Sequence, residues 1–230
     1  MTMDYPFQRL RFASNLGKIL DTRVIFLLFY LCLTACDRNP PESAQFAIPK
    51  DLKYVLNENP TKISTFQLTD QNGNNFTEKQ LEGKWTFMFF GYSHCPNVCP
   101  TTLMEMDDLS KLFAKSTSDK TEQNIQYLFV TVDPKRDTVA HLKNYIPYFN
   151  KTFTALTGPM ENIDKLATAA DIFHKIEYIT EKIYIVEHGS ALVLINPSGY
   201  YYARFDAPHY ASDIHTTFEK IKRYYNGNPS

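Results

Sequence analysis

The segment WTFMFF at 85–90 carries no alternation of apolar and polar side chains. A strand with one wet face alternates, so an uninterrupted run predicts a central strand covered on both sides, which needs layers above and below a sheet. The run ends at Gly91. From Thr101 to Lys115, TTLMEMDDLSKLFAK then sets Leu103, Met106, Leu109, Leu112 and Phe113 on one face of a helix, with Pro100 and Thr101 suited to its start. Two cysteines, Cys95 and Cys99, occupy the connection between strand and helix.

The rest of the chain continues the pattern. Ile125–Val132 reads as a second buried strand, Val139–Phe149 as a helix with Pro147 near its end, and Glu161–Phe173 as a third helix. The last third is β-rich: 176–179, 183–186, 191–195 and 201–205, with a turn at Asn196-Pro197-Ser198-Gly199 and a closing helix from about Tyr210 to Tyr225. Upstream, two short runs flank Asn72-Gly73, a hairpin signal. This order predicts an α/β domain of thioredoxin-like layout with an inserted N-terminal β-hairpin. Tyr200, Tyr201 and Tyr202 should alternate in and out, leaving at least one exposed.

Composition excludes several function classes. A chain of 230 residues, 43% hydrophobic, can bury a core without staples. Twenty-four basic residues against 25 acidic ones, with no Lys/Arg run, leave no footprint for nucleic acid.

The N-terminus carries Arg9, Arg11, Lys18 and Arg23 before the apolar stretch VIFLLFYLCLTAC at 24–36. As a helix, about 12 residues cover about 18 Å, short of the roughly 30 Å hydrocarbon core, so this reads as an export signal rather than a span. Leu33-Thr34-Ala35-Cys36 resembles a bacterial lipobox, which implies lipidation of Cys36, and Asp37 resembles an inner-membrane retention signal. The expected organisation is a lipoprotein-type signal at 1–35, a Pro/Asn-rich tether at 36–60 and one domain at 61–230. The expected location is the periplasmic face of the inner membrane. Removing 1–35 takes away four basic and two acidic residues, so the net charge moves from −1 to about −3 and anchoring falls to lipid rather than to charge.

With Cys32 in the signal and Cys36 lipidated, Cys95 and Cys99 remain. A disulfide closing so short a loop removes little chain entropy, which favours reactivity over stability. At a helix N-terminus both thiols should ionise readily. Such a pair exchanges electrons or binds a soft metal. Three intervening residues, Pro96, Asn97 and Val98, leave more room for an ion than a two-residue spacing. Two thiolates and one histidine would satisfy Cu(I), but six histidines are available. His141 and His215 fall in expected helices and read as surface residues, and chelation by His94 beside Cys95 is awkward. His188 lies in a loop from which the fold could return it over the first helix.

GYSHCPNVCPTTL at 91–103, VTVDPKRDT at 130–138, FTALTG at 153–158 and VEHGSALVLINPSG at 186–199 together resemble the successive signatures of the Sco/SenC family of copper-binding proteins. The resemblance spans most of the chain after Phe66. It implies Cu(I) and Cu(II) bound by Cys95, Cys99 and His188, and delivery of copper to cytochrome c oxidase subunit II during assembly. Other periplasmic copper chaperones or thiol oxidoreductases are implied as further partners. Asn97 stands where the family usually has an acidic residue, Gly189 where Ser or Thr follows the histidine, and Asn196 where Asp is common. Asp133, Arg136 and Asp137 match the DPxRDT segment. Asp133 is expected to support the ligands from behind, and Asp137 or Thr138 to cap the next helix. The rival reading is a thiol-disulfide oxidoreductase using Cys95 and Cys99 on an oxidase subunit or a copper-trafficking protein. A peroxidase and a purely structural lipoprotein have less in their favour.

Overall fold

The first of the expected strands, β4 (Trp85–Gly91), lies inside an eight-stranded sheet, and every one of its residues is buried. The computed structural model describes residues 48–116, 124–181 and 183–227. The expected signal at 1–35, with Cys36 and the start of the tether, lies outside the described residues.

In chain order the strands are β1 (Leu56–Lys62), β2 (Gln67–Asp70), β3 (Asn75–Thr77), β4, β5 (Ile125–Thr131), β6 (Thr154–Thr157), β7 (His174–Tyr178), β8 (Tyr184–His188), β9 (Leu192–Ile195) and β10 (Tyr200–Phe205). The helices are α1 (Val98–Ser116), α2 (Val139–Tyr145), α3 (Met160–Ala169) and α4 (Ala211–Gly227). The sheet runs β1-β10-β9-β4-β5-β6-β2-β3, with β7 and β8 forming a separate antiparallel pair. β4, β5 and β6 are parallel, and β9 joins β4 antiparallel. The hairpin β2–β3 closes one end through β2 and β6.

The unbroken apolar character of β4 has a direct structural cause. Phe87 and Phe89 enter one core layer with Leu103, Met106, Leu109, Leu142 and Phe218, under α1, α2 and α4. Met88 and Phe90 enter the other, with Ile163, Leu166 and Val186, under α3 and the β7–β8 pair. Complete burial of each Phe contributes about 1.5–3 kcal/mol of transfer free energy.

Three expectations change. Residues 48–60 do not belong to the tether: Leu52 and Leu56 are buried, and β1 pairs with β10, so the compact unit begins at Ile48. The first helix starts at Val98, which puts Cys99 and Pro100 in its first turn; Pro is accommodated there because the early N–H groups have no partner within the helix. Tyr201 and Tyr202 are both buried, in opposite core layers, and Tyr200 is half-buried; β10 is covered on both sides, and its register shifts between Tyr201 and Ala203. Among the described residues no helix is long and apolar enough to cross a membrane.

Candidate metal centre

The end of β4 and the start of α1 bring the cysteines together. Gly91 has no room for a side chain: a Cβ there would lie 2.9 Å from Cys99 Sγ and 3.0 Å from ring atoms of Phe89 and Phe129. The buried Cys99 sulfur therefore rests against a bare backbone. Cys95 is half-buried at the helix entrance, where its Sγ accepts the Cys99 N–H at 3.5 Å.

His188 arrives from the end of β8. Its Nε2 is 3.4 Å from Cys99 Sγ, and the donor atoms of Cys95, Cys99 and His188 all lie within 4.8 Å of one another. The ring is fixed from three sides. Tyr92 and Phe89 meet it edge-on at 5.7 and 6.1 Å between centroids, and Nδ1 lies 2.9 Å from the carbonyl oxygen of Gly189. A carbonyl can only accept, so Nδ1 carries the proton and the Nε2 lone pair faces the sulfurs. Gly189 N–H in turn donates to the Phe173 carbonyl at 2.8 Å and ties the end of the hairpin to the domain.

Electrostatics divide the two thiols. Burial pushes Cys95 up, but the backbone N–H groups of Cys99, Asn97 and Val98 and the Cys99 thiol outweigh it, and the net shift is down. For Cys99 burial dominates, and its thiol is pushed far above the ordinary range. Burial also holds His188 below the usual imidazole value and keeps it neutral, against the Gly189 hydrogen bond, which acts the other way. Cys95 is thus the more accessible and more readily ionised thiol, and Cys99 the one whose proton a binding metal ion displaces. Two sulfurs and one neutral imidazole form a soft set of three donors. It fits Cu(I), which two or three soft ligands satisfy, better than structural zinc, which takes four.

Asp133 is fully buried and reaches no sulfur. It accepts from the Tyr184 hydroxyl at 3.0 Å and pairs with the Arg136 guanidinium, whose centre lies 4.4 Å above the Tyr184 ring. Tyr184 opens β8, the strand that ends in His188, so Asp133 holds the hairpin that carries the ligand. Burial and the Asp133 carboxylate push the Tyr184 hydroxyl up to about 12, which keeps it a donor.

Asp137 does not cap the next helix. Thr138 does so, accepting the His141 N–H, while Asp137 turns back and accepts from Ser93 N–H at 2.9 Å, from the Ser93 hydroxyl and from the Thr131 hydroxyl at 2.7 Å. Three donors in the preceding loop and strand outbid the helix end. Asp137 therefore braces the cysteine loop from below.

The positions that depart from the family pattern sit in different surroundings. At Gly189 a Cβ would meet only ordinary contacts of 3.8–3.9 Å, so nothing in the packing demands glycine. Asn196 is buried, and its side-chain oxygen accepts from Ser198 N–H and Tyr200 N–H at 3.0 and 2.9 Å, the turn-forming role a carboxylate would also fill. Asn97 is exposed; its carbonyl accepts from Thr101 at the first turn of α1.

Other histidines lie apart from the sulfurs. His209 is buried between Thr102 and the Phe205 carbonyl, and His174 pairs with Asp164 at 3.0 Å. His215 packs on Phe113. The contributions of Gly91, Ser93 and Tyr184 were not read from the sequence. A glycine ending a buried strand next to a cysteine was the available signal for the first; the other two depend on contacts across 44 and 51 residues.

Residues 55–226 match the SCO1/SenC family. A Stutzerimonas stutzeri protein whose name describes it as copper-binding is 38% identical over 195 residues, 83% of this chain and 90% of that one. Copper-bound ScoI of Bradyrhizobium japonicum is 32% identical, with a TM-score of 0.60 over 68% of this chain and 97% of that one. A SCO1/SenC family lipoprotein of Bacillus anthracis is 25% identical, with a TM-score of 0.61 over 72% and 98%. The fold is thioredoxin-like, as the order of elements led one to expect.

Proposed function

The chain belongs to the SCO1/SenC family, and from that premise we propose that it is a copper metallochaperone that holds its cargo between Cys95, Cys99 and His188. The observation that carries this reading is the convergence of three donor atoms within 4.8 Å, with the His188 tautomer already set for ligation. Copper is the substrate of the transfer. Cys95, half-exposed and readily ionised, is the ligand an incoming thiolate replaces first; Cys99 and His188, held by Gly91 and the hairpin, leave last. The receiving protein is cytochrome c oxidase subunit II, an inference from the family resemblance. The lipobox-like Cys36 would keep the domain at the periplasmic face of the inner membrane, within reach of that subunit.

The split between a half-buried thiol shifted down and a buried one shifted up also suits thiol-disulfide exchange, in which Cys95 attacks and Cys99 resolves. This reading makes the chain an oxidoreductase on an oxidase subunit or a copper-trafficking partner. One experiment separates the two. The reduced full chain is titrated with Cu(I) beside Cys95→Ala, Cys99→Ala and His188→Ala, and each is then assayed for transfer to apo subunit II and for disulfide reduction. The chaperone reading expects one tightly held copper per chain, weakened by each change. Tight binding undiminished in His188→Ala, with thiol exchange intact, would overturn it in favour of the oxidoreductase.

A further inference from the structure

Beside the thiol site, a second group of ligating side chains meets on the outer side of the cysteine loop. His94 precedes Cys95, Asp137 follows β5, and His141 lies in α2, yet their ligating atoms all fall within 4.8 Å of one another. At their centre sits the Ser93 hydroxyl. His94 Nδ1 and His141 Nε2 are each 2.9 Å from Ser93 Oγ, which donates to Asp137 Oδ1. The hydroxyl has one proton and gives it to the carboxylate, so both imidazoles must point an N–H at the same oxygen. Their rings stack at 5.7 Å with 24° between planes, and both are open to solvent.

Charge supplies an independent argument. Asp137 is wholly buried, and its hydrogen-bond donors are neutral: the Ser93 N–H, the Ser93 hydroxyl and the Thr131 hydroxyl. Among the described residues its only ion-pair neighbour is His94, 4.0 Å away; the adjacent Arg136 is turned to Asp133. A carboxylate removed from water without a cation is under-compensated, and the two imidazoles beside it offer ligating nitrogens to a positive ion.

The geometry points to a second metal site, formed by His94, His141 and Asp137, for a borderline divalent transition-metal ion such as Zn²⁺ or Cu²⁺. Two imidazoles and a carboxylate suit that class, whereas the thiols one residue away suit a softer ion. Binding moves the ring protons of His94 and His141 to their opposite nitrogens, turns the Ser93 hydroxyl aside and leaves its N–H on Asp137. Three protein ligands leave a position for water.

The probes are Zn²⁺ and Cu²⁺ alone, offered to a full chain in which all four cysteines are changed to alanine, so that no thiol competes. After circular dichroism confirms folding, calorimetry with Zn²⁺ should give one equivalent, lost in added His94→Ala or His141→Ala. Electron paramagnetic resonance with Cu²⁺ should show nitrogen and oxygen ligands with two imidazoles, a signal lost in either variant. No binding to the folded cysteine-free chain, or an equivalent retained in both histidine variants, overturns the proposal. If that chain does not fold, the count is made on the reduced wild type against His141→Ala. Two equivalents against one are expected, and equal counts overturn it.

Discussion

Replacing Gly91 by alanine tests how the buried sulfur is positioned. The added Cβ would stand 2.9 Å from Cys99 Sγ and 3.0 Å from atoms of Phe89 and Phe129, where ordinary non-bonded contact is about 3.5–4.0 Å. All three neighbours are buried in one core layer, so relief requires a shift of at least about 0.5 Å in a packed interior. Overpacking of this kind costs about 1–3 kcal/mol. At about 2–4 °C per kcal/mol for a domain of this size, the melting temperature should fall by about 2–12 °C. The smallest adjustment is rotation of the Cys99 side chain, which moves its sulfur relative to His188 Nε2. Copper affinity should fall as well, by about tenfold for each 1.4 kcal/mol of misplacement. The assay is urea unfolding of the apo chain together with Cu(I) competition against a chelator of known affinity. A Gly91→Ala chain with wild-type stability and wild-type copper affinity would refute the claim that the close approach of Cys99 to the backbone sets the site.

Tyr184→Phe removes a donor from buried Asp133 without touching a ligand; it should cost about 1–2 kcal/mol in chemical unfolding and speed copper loss in stopped-flow competition. Gly189→Ala meets only ordinary contacts, and by stiffening the unfolded chain it should raise stability by about 0.4–1 kcal/mol with copper affinity unchanged. Burial lowers the pKa of His209, although the Phe205 carbonyl acts against it, so the unfolded chain binds the proton more tightly than the folded one. Stability from this group is therefore level above about pH 6.5 and falls as pH drops below that value, and urea midpoints should show a smaller loss between pH 7 and 5 in His209→Gln.

The strands and helices with a continuous buried face were legible in the sequence. WTFMFF, IQYLFVTV and the α1 stripe announce themselves because their side chains contact the core along their whole length. β1 was not legible: LNENPTK is exposed at all but its first two residues and is a strand because β10 offers an edge. β6 is four residues long, and its alignment depends on β5 and β2. At the site, the two cysteines and their place at a strand-to-helix turn followed from spacing, but the choice of His188 among six histidines came from the family resemblance. Cys99 and His188 are 89 residues apart, and the β7–β8 pair, anchored through Tyr184 and Asp133, brings them together. The role of Asp137 was misread for the same reason. It sits where a local rule predicts a helix cap and is engaged instead by Ser93 from across the sheet end. His141 lies on a helix and open to solvent as expected, and only its contact with Ser93 was not legible.

X-ray absorption spectroscopy of the full chain carrying one equivalent of Cu(I), compared with His188→Ala, reads the ligand set directly. The account predicts two sulfurs and one imidazole nitrogen in the wild type, with the nitrogen absent from the variant. A sulfur-only site in the wild type, or a nitrogen that persists without His188, would contradict it.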